Sequence, residues 1–367
     1  MNTPVLLYSD TEEALRESVR RLFTDRCPAT SVATAYDPVP EDFSGIWKTL
    51  ATEMGLTGLL VPDEFGGAGA STREAAVVME EIGRAAAPVP YLSSAILATM
   101  ALLQAGETTT LRSLAEGEAT GALVIPLSVS LGAFTPTVRR VDDRLVGRVT
   151  TVAGAQDADI LVVPVVGPDG LELHAVPRAT NGVTITPVLA LDMTRPFADI
   201  EFTGAHPNRV DQGAAEPAVH TALLCGTALL ASEQYGVAQW CLDTTVAYIK
   251  ERKQFGRTIG SFQAIKHRLA DLWLEVNSAG AAARYAADTY ARSDDDAEIA
   301  ATVAQAHCSD VAVRVAEECI QLHGGIGMTW EYPAHLYLKR AKSDQLALGT
   351  AYRHRARLAE LVYLPAG

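Results

Sequence analysis

Residues 250–272 read KERKQFGRTIGSFQAIKHRLADL, a segment that separates two long helical patterns. The pattern before it runs without proline or a clear stop signal, and helical spacing resumes after the Ser-Phe pair. Two more helical patterns follow toward the C-terminus, and four long helices in succession predict a bundle. The four predicted helices span about 218–252, 262–293, 295–322 and 335–361.

The periodicity of the remaining sequence divides the chain into three parts. Helical patterns occupy the N-terminal third, whereas short β-rich runs separated by Gly, Pro and Asp occupy the middle. The predicted N-terminal helices span about 10–23, 43–54, 72–86 and 91–104. The predicted fold class is α+β, with an N-terminal helical domain (1–120), a small β domain (121–208) and a C-terminal four-helix bundle domain (209–367).

The composition favours a globular protein with a small-molecule function. Of 367 residues, 48% are hydrophobic, and 30 Lys and Arg against 44 Asp and Glu give a net charge of −14. Such a charge repels nucleic acid and anionic membranes, so we expect neither as a partner. The five cysteines form no C-x-x-C pair, and the histidines show no metal-ligand spacing. Without a signal sequence or a long apolar run, the chain is expected to be cytoplasmic.

Four motifs resemble the acyl-CoA dehydrogenase family. They are LTGLLVPDEFGGAG (56–69), EEIGR (80–84), the segment 250–272 quoted above, and QLHGGIGMTWEYPAHLYLKRAK (321–342). The resemblance spans nearly the whole chain. It implies the fold of that family, an acyl-CoA substrate, FAD bound across a subunit interface, and electron transfer from the reduced flavin to an electron-transferring flavoprotein.

The resemblance also implies which residues contact the cofactor of a neighbouring subunit. A guanidinium suits a pyrophosphate, amides suit polar edges, and paired glycines let the backbone approach a phosphate. Taken singly, the paired glycines also fit a helix C-cap, and the arginine also fits a solvated helix end. The predicted cofactor-binding residues are Arg252, Phe255, Gln263, Gln321, His323, Gly324 and Gly325.

The catalytic carboxylate of the family has no counterpart in this sequence. That glutamate removes a proton beside the thioester carbonyl, and a neutral side chain cannot replace it. One family position for the base corresponds to Leu348, and the alternative position on the long helix corresponds to Gly226. Asp344 and Glu233 are weaker candidates for a relocated base, and Asp344 is expected to be a surface charge near Lys342.

The β domain departs from the family in the segments that pack on the flavin ring. The family's glycine-rich segment is replaced by GALVIPLSVSLGAF (121–134), and its tryptophan position corresponds to Thr151. Arg195 matches a family arginine that we expect to hold the β domain. The chain thus resembles the non-catalytic subunit of actinobacterial enzymes acting on steroid side-chain CoA thioesters, in which two kinds of subunit form an α2β2 tetramer.

Three hypotheses follow from these departures. The first is a non-catalytic subunit that completes the FAD site of a catalytic partner in an α2β2 complex and has no catalytic residues of its own. The second is a self-sufficient FAD-dependent acyl-CoA dehydrogenase with a relocated base. The third is a scaffold or acyl-CoA-binding protein without redox chemistry.

Overall fold

The structure is a computed structural model that describes residues 6–364. Its N-terminal part is helical, and its first helix has a capping box in which Ser9 and Glu12 satisfy each other's backbone amides. A π-helical segment at Tyr91–Ala98 leads directly into the fifth helix. The helices of this part are α1 (Asp10–Arg26), α2 (Ala29–Ala33), α3 (Ser44–Lys48), α4 (Thr72–Ala85), α5 (Thr99–Ala105) and α6 (Thr109–Ala115).

A seven-stranded mixed sheet forms the middle of the chain. The strands follow the spatial order β1-β4-β2-β3-β7-β6, and β5 also pairs with β4. Their inward valines, leucines and isoleucines build a small core of their own. The strands are β1 (Gly121–Leu123), β2 (Val138–Val141), β3 (Arg144–Ala153), β4 (Ile160–Gly167), β5 (Gly170–Pro177), β6 (Val183–Val188) and β7 (Phe197–Ala205).

The C-terminal part is a helical bundle in which α7 and α9 form the central pair. A hairpin of two short strands, β8 and β9, joins α7 to α8. The elements are α7 (Ala215–Glu251), β8 (Lys253–Gln254), β9 (Arg257–Thr258), α8 (Gln263–Ala291), α9 (Ala297–His323), α10 (Ala334–Leu346) and α11 (Ala351–Leu361). The α+β class and the order of helices, sheet and bundle are confirmed.

The last predicted helix, 335–361, is wrong as a single element. The chain leaves the helical conformation after Leu346 because Leu348 and Gly349 have φ values of +53° and +105°. A leucine rarely adopts a positive φ, so tertiary contacts must hold it there. The Nε2–H of His354 donates to the carbonyl of Leu348 at 3.0 Å, which supports the bend.

Helix α4 packs on α7 at a close crossing made by two glycines. A Cβ on Gly83 would lie 2.0 Å from the carbonyl oxygen of Glu233, and one on Gly236 would lie 2.0 Å from that of Glu80. The two backbones therefore approach closer than any larger residue permits. This crossing fixes the N-terminal helices against the long helix of the bundle.

Candidate functional site

The hairpin between α7 and α8 projects the predicted cofactor-binding residues into solvent. Its two turn residues, Phe255 and Gly256, have φ values of +53° and +77°, as a tight two-residue hairpin turn requires. The Phe255 side chain is 89% exposed, although an aromatic ring is normally covered. Arg252 caps α7 and is exposed, and its carbonyl accepts from the amide of Ile259 at 2.8 Å.

The second predicted motif lies beside the end of the same helix. The hydroxyl of Tyr248, one turn before Arg252, donates to the carbonyl of His323 at 3.3 Å. Gly324 has a φ of +65°, and a Cβ on Gly324 or Gly325 would meet no atom within 4 Å. Open glycine backbone of this kind fits a phosphate or ribose.

Six of the seven predicted cofactor-binding residues are exposed, and one is not. Gln263 opens α8 and Gln321 lies in the last turn of α9, both with exposed side chains. The side chain of His323 is buried instead. Its Nε2 lies 2.6 Å from the hydroxyl of Tyr332, and its Nδ1–H donates to the carbonyl of Cys319 at 2.7 Å. His323 therefore braces the loop from within, whereas the exposed six could contact a cofactor held by another chain.

The two positions corresponding to the family base meet at one point in the interior. A Cβ on Gly226 would lie 3.1 Å from the Cδ1 of Leu348 and 2.6 Å from the Cδ2 of Leu97. Leu348 is fully buried, and Leu97 is 2% exposed. Although the two positions are far apart in sequence, they face the same small volume. The atoms nearest to a Cβ on Gly226 are all aliphatic carbons of Leu97 and Leu348.

The loop after β1 closes the space beside Leu348. The amide of Leu127 donates to the carbonyl of Thr151 at 3.1 Å, and its carbonyl accepts from the amide of Leu348 at 2.6 Å. A Cβ on Gly349 would come within 2.7 Å of the Cβ of Ser130. The segments corresponding to those that pack around a flavin ring in the family thus contact one another directly.

A buried group of charges joins the sheet to the bundle. The guanidinium of Arg195 lies 2.7 Å from Oδ1 of Asp344 and 2.6 Å from Oε1 of Glu233. Arg340 contacts the same Glu233 oxygen at 2.8 Å and Asp192 at 3.3 Å. Arg195 is the most exposed of the five at 8%. We call this group the interdomain ion network; it supports the expectation that Arg195 holds the β domain.

Asp344 is not the surface charge that the sequence predicted. Its side chain is fully buried, and its Oδ2 has no hydrogen-bond partner among the described residues. Burial and the neighbouring Glu233 carboxylate raise the pKa of Asp344 to about 8, against the opposing effect of Arg195 and Arg340. With three carboxylates facing two guanidiniums, a protonated Asp344 would balance the charge of the network.

The network also forms one wall of a cavity of about 530 Å³ between the three parts of the chain. Phe43 and Trp47 lie on the N-terminal side, and Ala153 and Gly154 line the sheet side. Sequence reasoning missed the network because its members come from three distant segments. It also missed Leu97 and Leu127, whose aliphatic side chains carry no local signal of their contacts.

The described residues show no sign of a metal centre or of a membrane span. No group of three or more His, Cys, Asp or Glu within 6–364 is arranged to hold an ion. Over the same residues, every helix is too short or too polar to cross a bilayer.

Comparisons with known proteins agree with the motifs. The family models for the acyl-CoA dehydrogenase N-terminal and C-terminal domains match residues 9–118 and 217–363. Acyl-CoA dehydrogenase IpdE2 of Mycolicibacterium smegmatis is 36% identical, with 97% of this chain and 100% of that protein covered. Acyl-CoA dehydrogenase FadE34 of Mycobacterium tuberculosis is 34% identical, with 97% of this chain but only 48% of that protein covered.

One chain from each of two solved structures shares the fold over nearly its whole length. The ChsE4-ChsE5 complex from Mycobacterium tuberculosis matches with a TM-score of 0.86 and 25% identity, covering 99% of this chain and 100% of that chain. The Tcur3481-Tcur3483 steroid ACAD matches with a TM-score of 0.83 and 28% identity, covering 96% and 98%. The chain described here belongs to the acyl-CoA dehydrogenase family.

Proposed function

We propose that this chain is the non-catalytic subunit of a hetero-oligomeric acyl-CoA dehydrogenase and completes the FAD site of a catalytic partner. The observation that carries the proposal is the contact between Gly226, Leu348 and Leu97. Both positions for the base are apolar, and they converge on a volume already filled by leucine side chains. Proton abstraction needs a group that accepts a proton, and neither Gly226 nor Leu348 has one.

The chain's own flavin-ring segments depart from those of the family. The family's tryptophan position is Thr151, and Leu127 is bonded to Thr151 on one side and to Leu348 on the other. Such bonds are costly to lose in a buried site. We infer that this subunit builds no complete flavin site from its own segments.

The exposed hairpin and the loop at Gly324 fit the other half of a flavin site, the half that contacts FAD held by a partner chain. Arg252 would pair with the pyrophosphate, Phe255 would stack on the adenine, and Gln263 and Gln321 would bond polar edges. The backbone at Gly324 would approach the phosphates. Bound FAD would supply the hydride acceptor, while the partner chain would supply the base.

The comparisons support pairing with a different chain. Two of the similar solved structures are complexes of two differently named chains. FadE34 is about twice as long as this chain, and the present chain matches one half of it. When two related subunits pair tightly, their fusion into one chain with two halves of similar length is favoured.

We further propose an α2β2 assembly that acts on a CoA thioester of steroid type and delivers electrons to an electron-transferring flavoprotein. The substrate class is supported by the similarity to Tcur3481-Tcur3483, which is a steroid ACAD. The acyl group would lie in the partner's cleft, beside the base that the partner supplies.

One observation favours the relocated-base enzyme as a second candidate. The raised pKa of Asp344 is of the kind found in catalytic carboxylates. Its position argues the other way, since one oxygen pairs with Arg195 and the side chain is fully buried. Glu233 is similarly engaged by Arg195 and Arg340. These contacts suit a structural role.

The FAD content of the chain purified alone tests the proposal. We expect close to zero FAD per chain, and about one FAD per pair when the chain is purified with its catalytic partner. Dehydrogenation of acyl-CoA thioesters should appear only in the pair. One FAD per chain with turnover in the isolated protein would reject the proposal in favour of the relocated base.

A variant of the donor side sharpens the test. Phe255→Ala should leave the stability of this chain unchanged, because the ring is exposed, but should lower FAD retention of the pair by about tenfold or more. Leu346→Ala, at another exposed apolar position, is the matched control and should retain FAD normally.

A further inference from the structure

A groove of about 610 Å³ runs between the C-terminal half of α7 and the N-terminal half of α8. Its floor is apolar and includes Leu242, Val246 and Leu269. At one end stands Trp273, whose side chain is 59% exposed, although tryptophan is among the most costly residues to leave in water. The other end is closed by the segment that follows the β8-β9 hairpin. The groove is therefore continuous with the proposed FAD-donating face.

The rim of the groove is basic in an otherwise acidic molecule. Residues 250–268 contain six Lys and Arg but only Glu251 as a carboxylate, which gives a local charge of +5 in a chain of net −14. Lys250 and Lys266 line the groove itself. Neither amino group forms an ion pair with any other residue in 6–364, whereas Arg268 nearby pairs with Glu318 at 2.6 Å.

The apolar floor and the basic rim together indicate which kind of molecule binds in the groove. A second copy of this chain is disfavoured, because two molecules of charge −14 repel each other over distances of a Debye length. A nucleotide would satisfy the lysines but would leave most of the apolar floor uncovered. A helix or strand with carboxylates flanking aliphatic residues would satisfy both the rim and the floor.

We propose that this groove docks an acidic, amphipathic segment of the catalytic partner, and that Lys250, Lys266 and Trp273 select that partner over a second copy of this chain. The proposal rests on the proposed function, since it presupposes a partner that receives the FAD-donating residues. Trp273 would provide the buried anchor and the lysines would steer association and fix the orientation. The affinity of the pair should then fall as the salt concentration rises.

The test uses the full chain and an acyl-CoA dehydrogenase chain of the same organism that carries a glutamate at a base position and copurifies with it. The double variant Lys250→Glu, Lys266→Glu and the single variant Trp273→Ala should each weaken binding of that partner, measured by calorimetry, by about 30-fold or more. The matched control is Lys48→Glu, Arg139→Glu. It makes the same change in charge at two exposed positions without ion pairs in 6–364, and it should bind as the wild type does.

The remaining outcomes distinguish a failure of the groove proposal from a failure of the proposed function. If the pair forms and carries FAD but the groove variants bind normally, the groove proposal is wrong and the proposed function stands. If the wild-type chain alone carries one FAD per chain, the proposed function fails first. If sedimentation shows a self-dimer that Trp273→Ala abolishes, the occupant is a second copy. If micromolar ADP alone quenches tryptophan fluorescence in the wild type but not in Trp273→Ala, the occupant is a nucleotide and the proposal is wrong.

Discussion

A glutamate at position 348 would enter a site shaped for leucine. The side chain there is fully buried, touches the volume above Gly226, and sits on a backbone held at positive φ. A carboxylate in such surroundings loses its hydration without gaining a partner. The family motif predicts that the base is missing at position 348, and the structure adds that Leu348 is buried beside Gly226.

Leu348→Glu should therefore destabilise the chain by about 3 kcal/mol without creating activity. Urea unfolding monitored by circular dichroism gives the first quantity, and an acyl-CoA dehydrogenase assay gives the second. Leu346→Glu is the control, because Leu346 is 58% exposed and its replacement should cost less than about 0.5 kcal/mol. Turnover by Leu348→Glu in the isolated chain would contradict the proposal that this chain cannot form a working active site by itself.

Asp344 should make the stability of the chain depend on pH. Its folded pKa of about 8 lies above the value of an unfolded aspartate, so the folded state binds the proton more tightly. The contribution of Asp344 to the free energy of unfolding is fully present below about pH 4 and is lost as the pH rises through about 8. Between pH 6 and 8 the free energy of unfolding should fall by on the order of 2 kcal/mol.

Asp344→Asn should flatten that pH dependence, because an amide does not titrate. Thermal unfolding at several pH values compares the variant with Asp295→Asn, an exposed control that should keep the wild-type slope. An unchanged slope in Asp344→Asn would show that another group titrates in this range.

At the scale of elements, the sequence predicted most helices and the larger strands. Long apolar periodicity and N-cap residues such as Ser9 and Ser71 are local signals, so α1, α4, α7, α8 and α9 could be predicted. The break between α10 and α11 could not, because it depends on bonds from Leu348 to Leu127 and His354. Strands β1 and β2 are short and escaped prediction for lack of a periodic run.

The α4–α7 crossing gives a prediction about an element. Gly236→Ala should destabilise the chain by about 2–3 kcal/mol, because its Cβ would collide with the backbone carbonyl of Glu80 rather than with a movable side chain. Chemical denaturation measures the loss. Gly325→Ala is the control, since a Cβ there meets nothing within 4 Å, and its stability should change little. Equal stability of both variants would mean that the helices can move apart freely.

At the scale of the molecule, the sheet and the bundle are held together by long-range polar contacts. Arg195 connects the segment before β7 to α7 and α10, and Leu127 connects the loop after β1 to the bend after α10. The interdomain ion network could not be read from the sequence, because no spacing rule relates its members. The motifs proposed to contact a partner's cofactor were found from the sequence, because each is a short continuous segment, and their role stays a prediction.

Arg195→Ala should loosen the sheet from the bundle. It leaves Glu233 and Asp344 buried, with only Arg340 to offset their charge, at a cost of about 3–5 kcal/mol. The measurement is urea unfolding together with limited proteolysis of the loops that border the sheet. Arg148→Ala removes an ion pair with Asp199 from a residue that is 61% exposed, and this control should cost under about 1 kcal/mol. Identical proteolysis of both variants would exclude a tethering role for Arg195.

The bond between Leu127 and Leu348 also bears on how this chain can evolve. A mutation that restored an acid at position 348 would meet a closed loop, and one that opened the loop would expose leucines to water. Each step alone would be disadvantageous, so a gradual return to an independent enzyme would be blocked. If the chain is the non-catalytic subunit that we propose, its lineage would then depend on the survival of a companion gene, and the two sequences would be constrained to change together.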